Sequence, residues 1–560
     1  MGSFKKSILA LIIFFSYLEC SHDEQRIQFL IATKDFTKAI EYYLDSYELN
    51  KTHQPELLRS LAKGLIDSSF SSTDSKDQLL ALYGLMISND HDLDYDYTKL
   101  LDSKDPYVQL LTIQYLSNWS EDIVDVWLNK AMSSPYLPVR MQALGNLVQR
   151  KSKLALSHIE SLYYRLPDFF RPVFAQFYAS LGTPQAIKIL KQMLSDPNSE
   201  MKVASLLASC QFQRDDLKEE IRKILTQSDP MVQETAIYAA SFFKDLHSLE
   251  MIEKLSCSHH QNVKLAALMG LSQFKKEERK QEIFDLAKKK DLSSIFYLGT
   301  MDGSEPTLLE LASDDDFNVR LNTLFSLLEK KHPKSKDLLI KFFKSHSTYD
   351  GLAPNFSSGK TQQYIKMYPA YPSQFKKSKE FITYLQGMTS MIRNQLLIQA
   401  LELTETDFLE IAQVIFENDI YDVIPTLVRL LENCPGEKTL ELIKKMSQKT
   451  GSPRTRIYCL MALARLKDPY FTPLFFEFLE NQKNHSILQI SAFDTQDTSI
   501  KKSSRFFLNP DEQSQAILES YETLVYLHDE KCFSILLKAL LHSPKQNRSV
   551  LAGLLLKALL

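Results

Sequence analysis

The sequence contains very little glycine, and this scarcity limits the fold classes open to it. Only 14 of its 560 residues are glycine, whereas an average protein contains about 7%. Enzymes that hold nucleotides in glycine-rich phosphate loops are therefore disfavoured. Helices joined by short turns need little glycine, and Leu, Lys, Glu and Ala are all abundant. This composition predicts an all-α chain.

The chain also lacks the charge and cysteine patterns of several functional classes. Its formal charge is only −3, so the strongly basic surface of a nucleic-acid-binding protein is missing and we expect no nucleic-acid partner. The six cysteines lie far apart and form no CxxC pair, which argues against a zinc site or a disulfide framework. We interpret Cys210 and Cys459 as small buried apolar residues.

No arrangement of residues typical of catalysis, cofactor binding or metal binding stands out. Ser358–Thr361 resembles the end of a P-loop but lacks its first glycine. The alternating aspartates of Asp90–Asp96 lack the glycine and the glutamate of an EF-hand loop. His259 and His260 have no further zinc ligands at a suitable spacing, which favours a polar turn. We therefore predict no catalytic residues, no cofactor and no metal, and favour a protein that is not an enzyme.

Residues 1–20 have the order of charged and apolar residues found in secretory signal peptides. Lys5 and Lys6 precede the apolar run Ile8–Phe15, which is too short to cross a bilayer as a helix. Polar sequence follows. The pattern predicts export, and we expect a bacterial protein of the periplasm or cell envelope.

Cys20 gives the N-terminus a second interpretation. Bacterial lipoproteins carry a lipidated cysteine directly after such an apolar run. Tyr17 and Glu19 depart from the residues that usually precede this cysteine. Removal of the segment by cleavage and a membrane tether through Cys20 therefore remain alternatives.

A short motif recurs along the chain with a regular period. Each copy has a turn with Asp, Pro or Ser, then a β-branched residue, then a helix rich in Ala and Leu, as in Asp229–Ala240. Apolar residues at helical spacing follow the valine, and one copy is degraded around Leu292–Thr300. A period of about 30 residues is typical of one antiparallel helix pair per repeat and predicts an α-solenoid superhelix. The valines that mark the repeats are Val108, Val139, Val173, Val203, Val232, Val263 and Val319.

These repeats resemble the HEAT-repeat family, particularly its bacterial subclass named after phycobilisome lyases. Residues 229–240, 136–144 and 453–468 carry the resemblance, which extends over 100–345 and, in more divergent form, over 400–560. It implies a scaffold or adaptor that binds protein partners through a curved helical surface. The subclass contains lyases that attach or detach tetrapyrroles, so a lyase-like enzyme is the alternative function.

The remaining segments complete the predicted domain organisation around the HEAT-like array of residues 100–345. An N-terminal helical region over 21–99 contains a stretch that resembles a tetratricopeptide repeat, and we interpret the region as a cap on the array. A Tyr-, Pro- and Ser-rich loop or hinge follows over 346–380. A second, divergent helical array over 381–560 carries an insertion near 491–512.

Two features are candidates for partner binding. Apolar Val550–Leu560 would either fold back onto the array or meet a partner. An aromatic cluster offers the kinds of side chain that anchor protein interfaces; the alternative is that most of it packs inside the solenoid together with Phe174, Phe177 and Tyr178. The candidate partner-binding residues are Tyr163, Tyr164, Arg165, Phe169, Phe170 and Arg171.

Overall fold

A computed structural model describes most of the chain. The described residues are 23–89, 95, 97–227, 229–274, 279–348, 351–356, 362–366, 379–434, 436–448, 452–480, 510–544 and 547–560. Several sequence predictions fall outside them: the signal peptide 1–20 with Cys20, the aspartates of Asp90–Asp96, the stretch 358–361 and most of the insertion near 491–512.

The described residues form an all-α structure with one short β-hairpin. The first helices are α1 (23–32), α2 (Phe36–Asn50), α3 (Pro55–Phe70), α4 (Ser75–Ser88), α5 (Thr98–Leu101), α6 (Pro106–Leu116), α7 (Ile123–Ala131), α8 (Leu137–Gln149), α9 (Ala155–Arg165), α10 (Phe174–Leu181), α11 (Pro184–Leu194), α12 (Ser199–Gln211), α13 (Lys218–Leu225), α14 (Pro230–Phe242), α15 (Leu249–Leu255) and α16 (Gln261–Gln273). They are followed by α17 (Lys280–Lys288), α18 (Leu292–Tyr297), α19 (Glu305–Leu311), α20 (Phe317–Glu329), α21 (Lys334–Ser345), α22 (Lys379–Gln399), α23 (Glu405–Glu417), α24 (Ile424–Asn433), α25 (Glu437–Ser447), α26 (Pro453–Arg465), α27 (Phe471–Glu480), α28 (Pro510–Tyr526), α29 (Lys531–His542) and α30 (Arg548–Ala558).

Helices α12, α14 and α16 show how the repeat is built. They are equal in length, their first residues are evenly spaced along the chain, and they pack side by side in chain order. At the start of α14 the Asp229 carboxylate accepts hydrogen bonds from the backbone N–H groups of Met231 (2.9 Å) and Val232 (3.3 Å). Pro230 occupies the first turn, where its missing N–H costs nothing. The predicted all-α solenoid is confirmed, and its repeat is regular in this stretch.

The side chain three residues after the helix cap enters the core. Five of the seven predicted marker valines are fully buried. The prediction is wrong for Val203, which is half-buried, because the cap is Asn198 and the buried third residue is Met201. It is also wrong for Val173, which is 46% exposed in a turn ahead of α10. The five buried markers are Val108, Val139, Val232, Val263 and Val319.

The degraded copy around Leu292–Thr300 keeps the same plan with other residues. The Asp291 side chain caps α18 by accepting hydrogen bonds from both the backbone N–H (2.8 Å) and the hydroxyl (2.6 Å) of Ser294. Ser294 is buried and lies one repeat after Val263. A serine therefore occupies the place of the valine, and its polar group is satisfied by the cap itself.

Many of these helices are followed by a residue in the left-handed conformation, a place where glycine is common. In this chain non-glycine residues take that conformation, so few glycines are needed. Gln213 and Lys244 have φ of 52° and 49° and follow α12 and α14 at equivalent places. For an ordinary residue this conformation costs about 1 kcal/mol. Lysine is the commonest of these residues among those described, and its positive charge is favourable at a helix C-terminus.

The predicted loop or hinge over 346–380 is wrong for the two strands found there. Strand β1 (Leu352–Phe356) pairs antiparallel with β2 (Gln362–Lys366). The Asn322 side chain of α20 bonds both backbone groups of Tyr364, donating to its carbonyl (2.7 Å) and accepting from its N–H (2.8 Å). The buried Tyr364 ring also stacks on Phe325 with centroids 4.0 Å apart. These contacts fasten the hairpin to a repeat helix.

The contacts divide the described residues into two compact units. Unit 1 joins the residues up to Ala143 with those from 436 onwards, and unit 2 comprises Leu144–Cys434. Within unit 1, α30 packs against α3 and α4, so apolar Val550–Leu560 folds back onto N-terminal helices. A Cβ atom on Gly553 would lie only 2.1 Å from the carbonyl oxygen of Gly84, which shows that α30 and α4 touch backbone to backbone.

None of the helices in the described part of the chain is both long enough and apolar enough to cross a bilayer.

Candidate partner-binding surface

The predicted aromatic cluster lies where α9 turns into α10 in unit 2. Helix α9 ends at Arg165, and Leu166 is extended ahead of Pro167, as expected for a residue that precedes proline. Residues Asp168–Val173 then form a 3₁₀ turn that contains Pro172. Two prolines therefore restrict the backbone of this connection, because the φ angle of each is fixed.

The end of α9 and the turn that follows it expose aromatic side chains to solvent. Tyr164 is 74% exposed, Phe169 is 69% exposed and Phe170 is 36% exposed. The rings of Phe169 and Phe170 lie 4.3 Å apart, centroid to centroid, at an angle of 35°. Arg165, which follows Tyr164 in the sequence, is also exposed. We call these four residues the aromatic patch.

A second layer of aromatic residues supports the patch from below. The Tyr163 ring makes edge-to-face contacts with Phe174 and Tyr178, with ring centroids 5.7 Å and 6.2 Å apart. This geometry contributes stabilising free energy beyond that of burying the rings. Phe174 and Tyr178 are buried, whereas Tyr163 and Phe177 are half-buried. Internal packing, the alternative weighed for the whole cluster, thus describes its lower layer, while the patch faces solvent.

Arg171 ties the turn to α9. Its guanidinium carbon lies 5.3 Å from the centroid of the Tyr163 ring, and its Nη2 lies 3.0 Å from the Asp168 carboxylate. Burial raises the pKa of Tyr163, and the charge of Arg171 partly opposes that rise. The exposed ion pair with Asp168 contributes at most about 1 kcal/mol, and the contact with the Tyr163 ring contributes a similar amount. We interpret Arg171 as a positioning residue.

The exposed groups of the aromatic patch are aromatic rings and a permanent cation, which suit contacts with another protein. Elsewhere in unit 2, His259 and His260 lie in the turn before α16, where the sequence predicted a polar turn. Both are exposed, and their ring centroids lie 4.0 Å apart. Among the described residues no group of three or more His, Cys, Asp or Glu side chains could hold a metal ion.

Sequence reasoning missed a second exposed apolar surface, on α22. Tyr384, Met391 and Ile398 are 62%, 55% and 50% exposed. They are spaced by seven residues, which places them on one face of the helix. This heptad spacing is present in the sequence. The Tyr, Pro and Gly residues just before it predicted only the loop that precedes the helix.

Comparison with known protein families identifies the repeats. Residues 187–272 match the family model described as HEAT repeats. This stretch of the chain is similar to HEAT repeats. The matched residues run from α11 to α16, and the 3₁₀ turn beside the aromatic patch packs on α12 within them. The resemblances to the phycobilisome-lyase subclass and to a tetratricopeptide repeat stay predictions.

The other comparisons concern whole chains. No curated protein matches this sequence. Among solved structures, the chain is similar to a crystal structure of an engineered protein from the Northeast Structural Genomics Consortium. The two share 14% sequence identity over 78% of this chain and 99% of the engineered one, with a TM-score of 0.22. A score this low informs neither the shape nor the function of this chain.

Proposed function

We propose that this HEAT-repeat chain is a non-enzymatic scaffold or adaptor that binds a protein partner through the aromatic patch. The observation that carries the proposal is the exposure of Tyr164 near the end of α9 and of Phe169 and Phe170 on the following turn, whose backbone is restricted by two prolines. HEAT solenoids commonly act as interaction scaffolds, and their repeats are present here.

Energetics favour recognition at such a surface. Aromatic and arginine side chains supply a disproportionate share of binding energy at protein interfaces. The prolines and the contact between Arg171 and Tyr163 hold the turn in place before any partner arrives. A pre-organised surface loses less conformational entropy on binding, so these rings can contribute most of their contact energy to affinity.

Photo-cross-linking tests this proposal directly. A photoreactive phenylalanine at position 169 is expected to capture a specific partner from cells. The same group at Tyr107, an equally exposed aromatic residue of unit 1, serves as the control and should not capture it. Equal capture at both positions would contradict the proposal.

Binding measurements with the captured partner quantify the contribution of the patch. Replacing Phe169 or Tyr164 by alanine is expected to weaken binding by about tenfold to thirtyfold, since anchor residues contribute about 1.4–2 kcal/mol or more. Leu246→Ala, at another exposed apolar residue of unit 2, is the matched control and should leave the affinity unchanged. If the patch variants bind as tightly as the wild type, the partner uses another surface.

We also propose that the chain is exported through residues 1–20. The support is the order of Lys5 and Lys6, the apolar run Ile8–Phe15 and then polar sequence. Cell fractionation of the wild type and of Cys20→Ser distinguishes the two fates of the segment. Loss of membrane retention in Cys20→Ser indicates lipidation, unchanged release indicates cleavage, and wild-type protein confined to the cytosol refutes export.

A further inference from the structure

The exposed face of α22 carries an apolar stripe separate from the aromatic patch. Tyr384, Met391 and Ile398 form a straight apolar stripe along this 21-residue helix. Side chains seven residues apart lie above one another on one helix face and can occupy one of the two seam positions of a helix pair. The buried face of α22 already contacts β1, α20 and α24, so the stripe is additional to the packing of the repeat.

The stripe lies on a helix face without charge. Between Tyr384 and Gln399 the only charged residue is Arg393, and its side chain is buried. Its Nε and Nη2 atoms contact the Asp422 carboxylate at 2.8 Å and 3.1 Å. The helix therefore shows solvent no charged side chain over this length, although 24% of the whole chain is charged.

Gly387 leaves room for a close approach. It lies on the same face between Tyr384 and Met391, and a Cβ atom built on it would meet nothing within 4 Å. Glycine in a helix interior costs about 1 kcal/mol relative to alanine, and packing within the unit does not require it here. A small residue on a seam allows two helix backbones to come close together.

We propose that this face pairs with the same face of a second copy of the chain, the two α22 helices antiparallel about a two-fold axis at Met391. Tyr384 and Ile398 are equally far from Met391, so the antiparallel arrangement sets each Tyr384 against Ile398 of the second copy. A two-fold interface must be complementary to itself. A neutral face meets this condition without like-charge repulsion, and it lacks the flanking charges that select a different partner.

The size of the contact sets the expected affinity. The stripe from Tyr384 to Ile398 is about 21 Å long at 1.5 Å per residue. A single helix pair of this length buries less than the roughly 1,600 Å² of a standard interface. The dimer should therefore dissociate with a Kd in the roughly micromolar range.

Sedimentation over a concentration series across that range tests the dimer. Met391→Glu places a carboxylate on the two-fold axis against its own copy and is expected to raise the Kd about a hundredfold or more. Leu246→Glu, a matched control at an exposed apolar residue of the same unit, should leave the Kd unchanged. A wild type that stays monomeric throughout, or a dimer unaffected by Met391→Glu, overturns the proposal.

Cysteine cross-linking tests the geometry even if Met391→Glu fails to fold. In a chain with Cys20, Cys257 and Cys434 changed to serine, Met391→Cys should oxidise to a dimer because residue 391 faces itself across the axis. Ile398→Cys should not, because its two copies lie about 21 Å apart in the antiparallel pair. Cross-linking of Ile398→Cys at the same rate, or none with Met391→Cys, overturns the arrangement.

Discussion

The two units of this chain are assembled in different ways. In unit 2, helices that pack together are neighbours in sequence, as α12, α14 and α16 are, each one repeat after the last. In unit 1, α30 packs on α3 and α4, and the Ser549 hydroxyl donates to the Ser69 hydroxyl at 2.7 Å across 480 residues of chain. Local repeats support one unit, and contact between the two ends of the chain supports the other.

The difference predicts how each unit responds to damage. Repeats that contact mainly their neighbours confine a lost contact to adjacent repeats. A contact between distant segments requires a large loop to close before it can stabilise the fold, so its loss releases both segments together. Substitutions at Gly553 and at Val232 should therefore differ in the size and in the extent of their effects.

The largest effect is expected at Gly553. Gly553→Ala puts a methyl group 2.1 Å from the Gly84 carbonyl oxygen, which forces α30 away from α4 and lowers the free energy of unfolding by about 3 kcal/mol. Gly145→Ala in α8 is the matched control, because a Cβ atom built on Gly145 meets only a carbon of the Phe177 ring at 3.8 Å, an ordinary contact, and it should raise the same free energy by about 0.5–1 kcal/mol. Urea denaturation measures both, and equal effects of the two substitutions would contradict the closure by α30.

A smaller effect is expected within the repeats. Val232→Ala removes two methyl groups from a fully buried site and should lower the free energy of unfolding by about 2 kcal/mol. Val173→Ala, the same change at an exposed residue, should alter it by less than about 0.5 kcal/mol. Hydrogen exchange should show the loss of protection confined to helices near α14. Exchange that rises equally in α3, α4 and α30 would argue against a local response.

The repeat plan could be predicted from the sequence because it depends on local signals. Asp229, Pro230 and Val232 supply the cap, the first turn and the core contact within a single helical turn. Val203 was assigned wrongly because Asp196-Pro197 imitates this signal, while the cap is Asn198.

What could not be predicted depends on contacts between distant residues. The hairpin is held by Asn322 bonding Tyr364, 42 residues away, and no local pattern shows that pairing. The closure of unit 1 is more distant still. The aromatic cluster was found from composition, but only the geometry separates exposed Phe169 from buried Phe174, because the two residues lie only five positions apart around the same turn.

The N-terminal and C-terminal segments of unit 1 also meet at His53, and we expect this contact to depend on pH. The His53 ring stacks on Tyr47 at 4.0 Å and meets Phe533 of α29 edge-on at 5.0 Å. Burial lowers the pKa of His53, and Glu530 partly opposes this shift. The pKa of His53 is lower in the folded state than in the unfolded state, where it is about 6.5. As the pH falls below about 6.5, the unfolded state therefore binds more protons than the folded state does. Stability conferred by neutral His53 is therefore present above about pH 6.5 and is lost as the pH falls towards the folded pKa.

The smallest predicted effect is the loss of this pH dependence in His53→Phe. The substitution keeps an aromatic ring in place without the titration, so its Tm should fall less than that of the wild type between about pH 7.5 and pH 5.5. His247→Gln, at an exposed histidine of unit 2, should retain the wild-type dependence. An unchanged slope in His53→Phe would exclude this histidine as its source, and the closure of unit 1 would then depend on apolar packing and neutral hydrogen bonds alone.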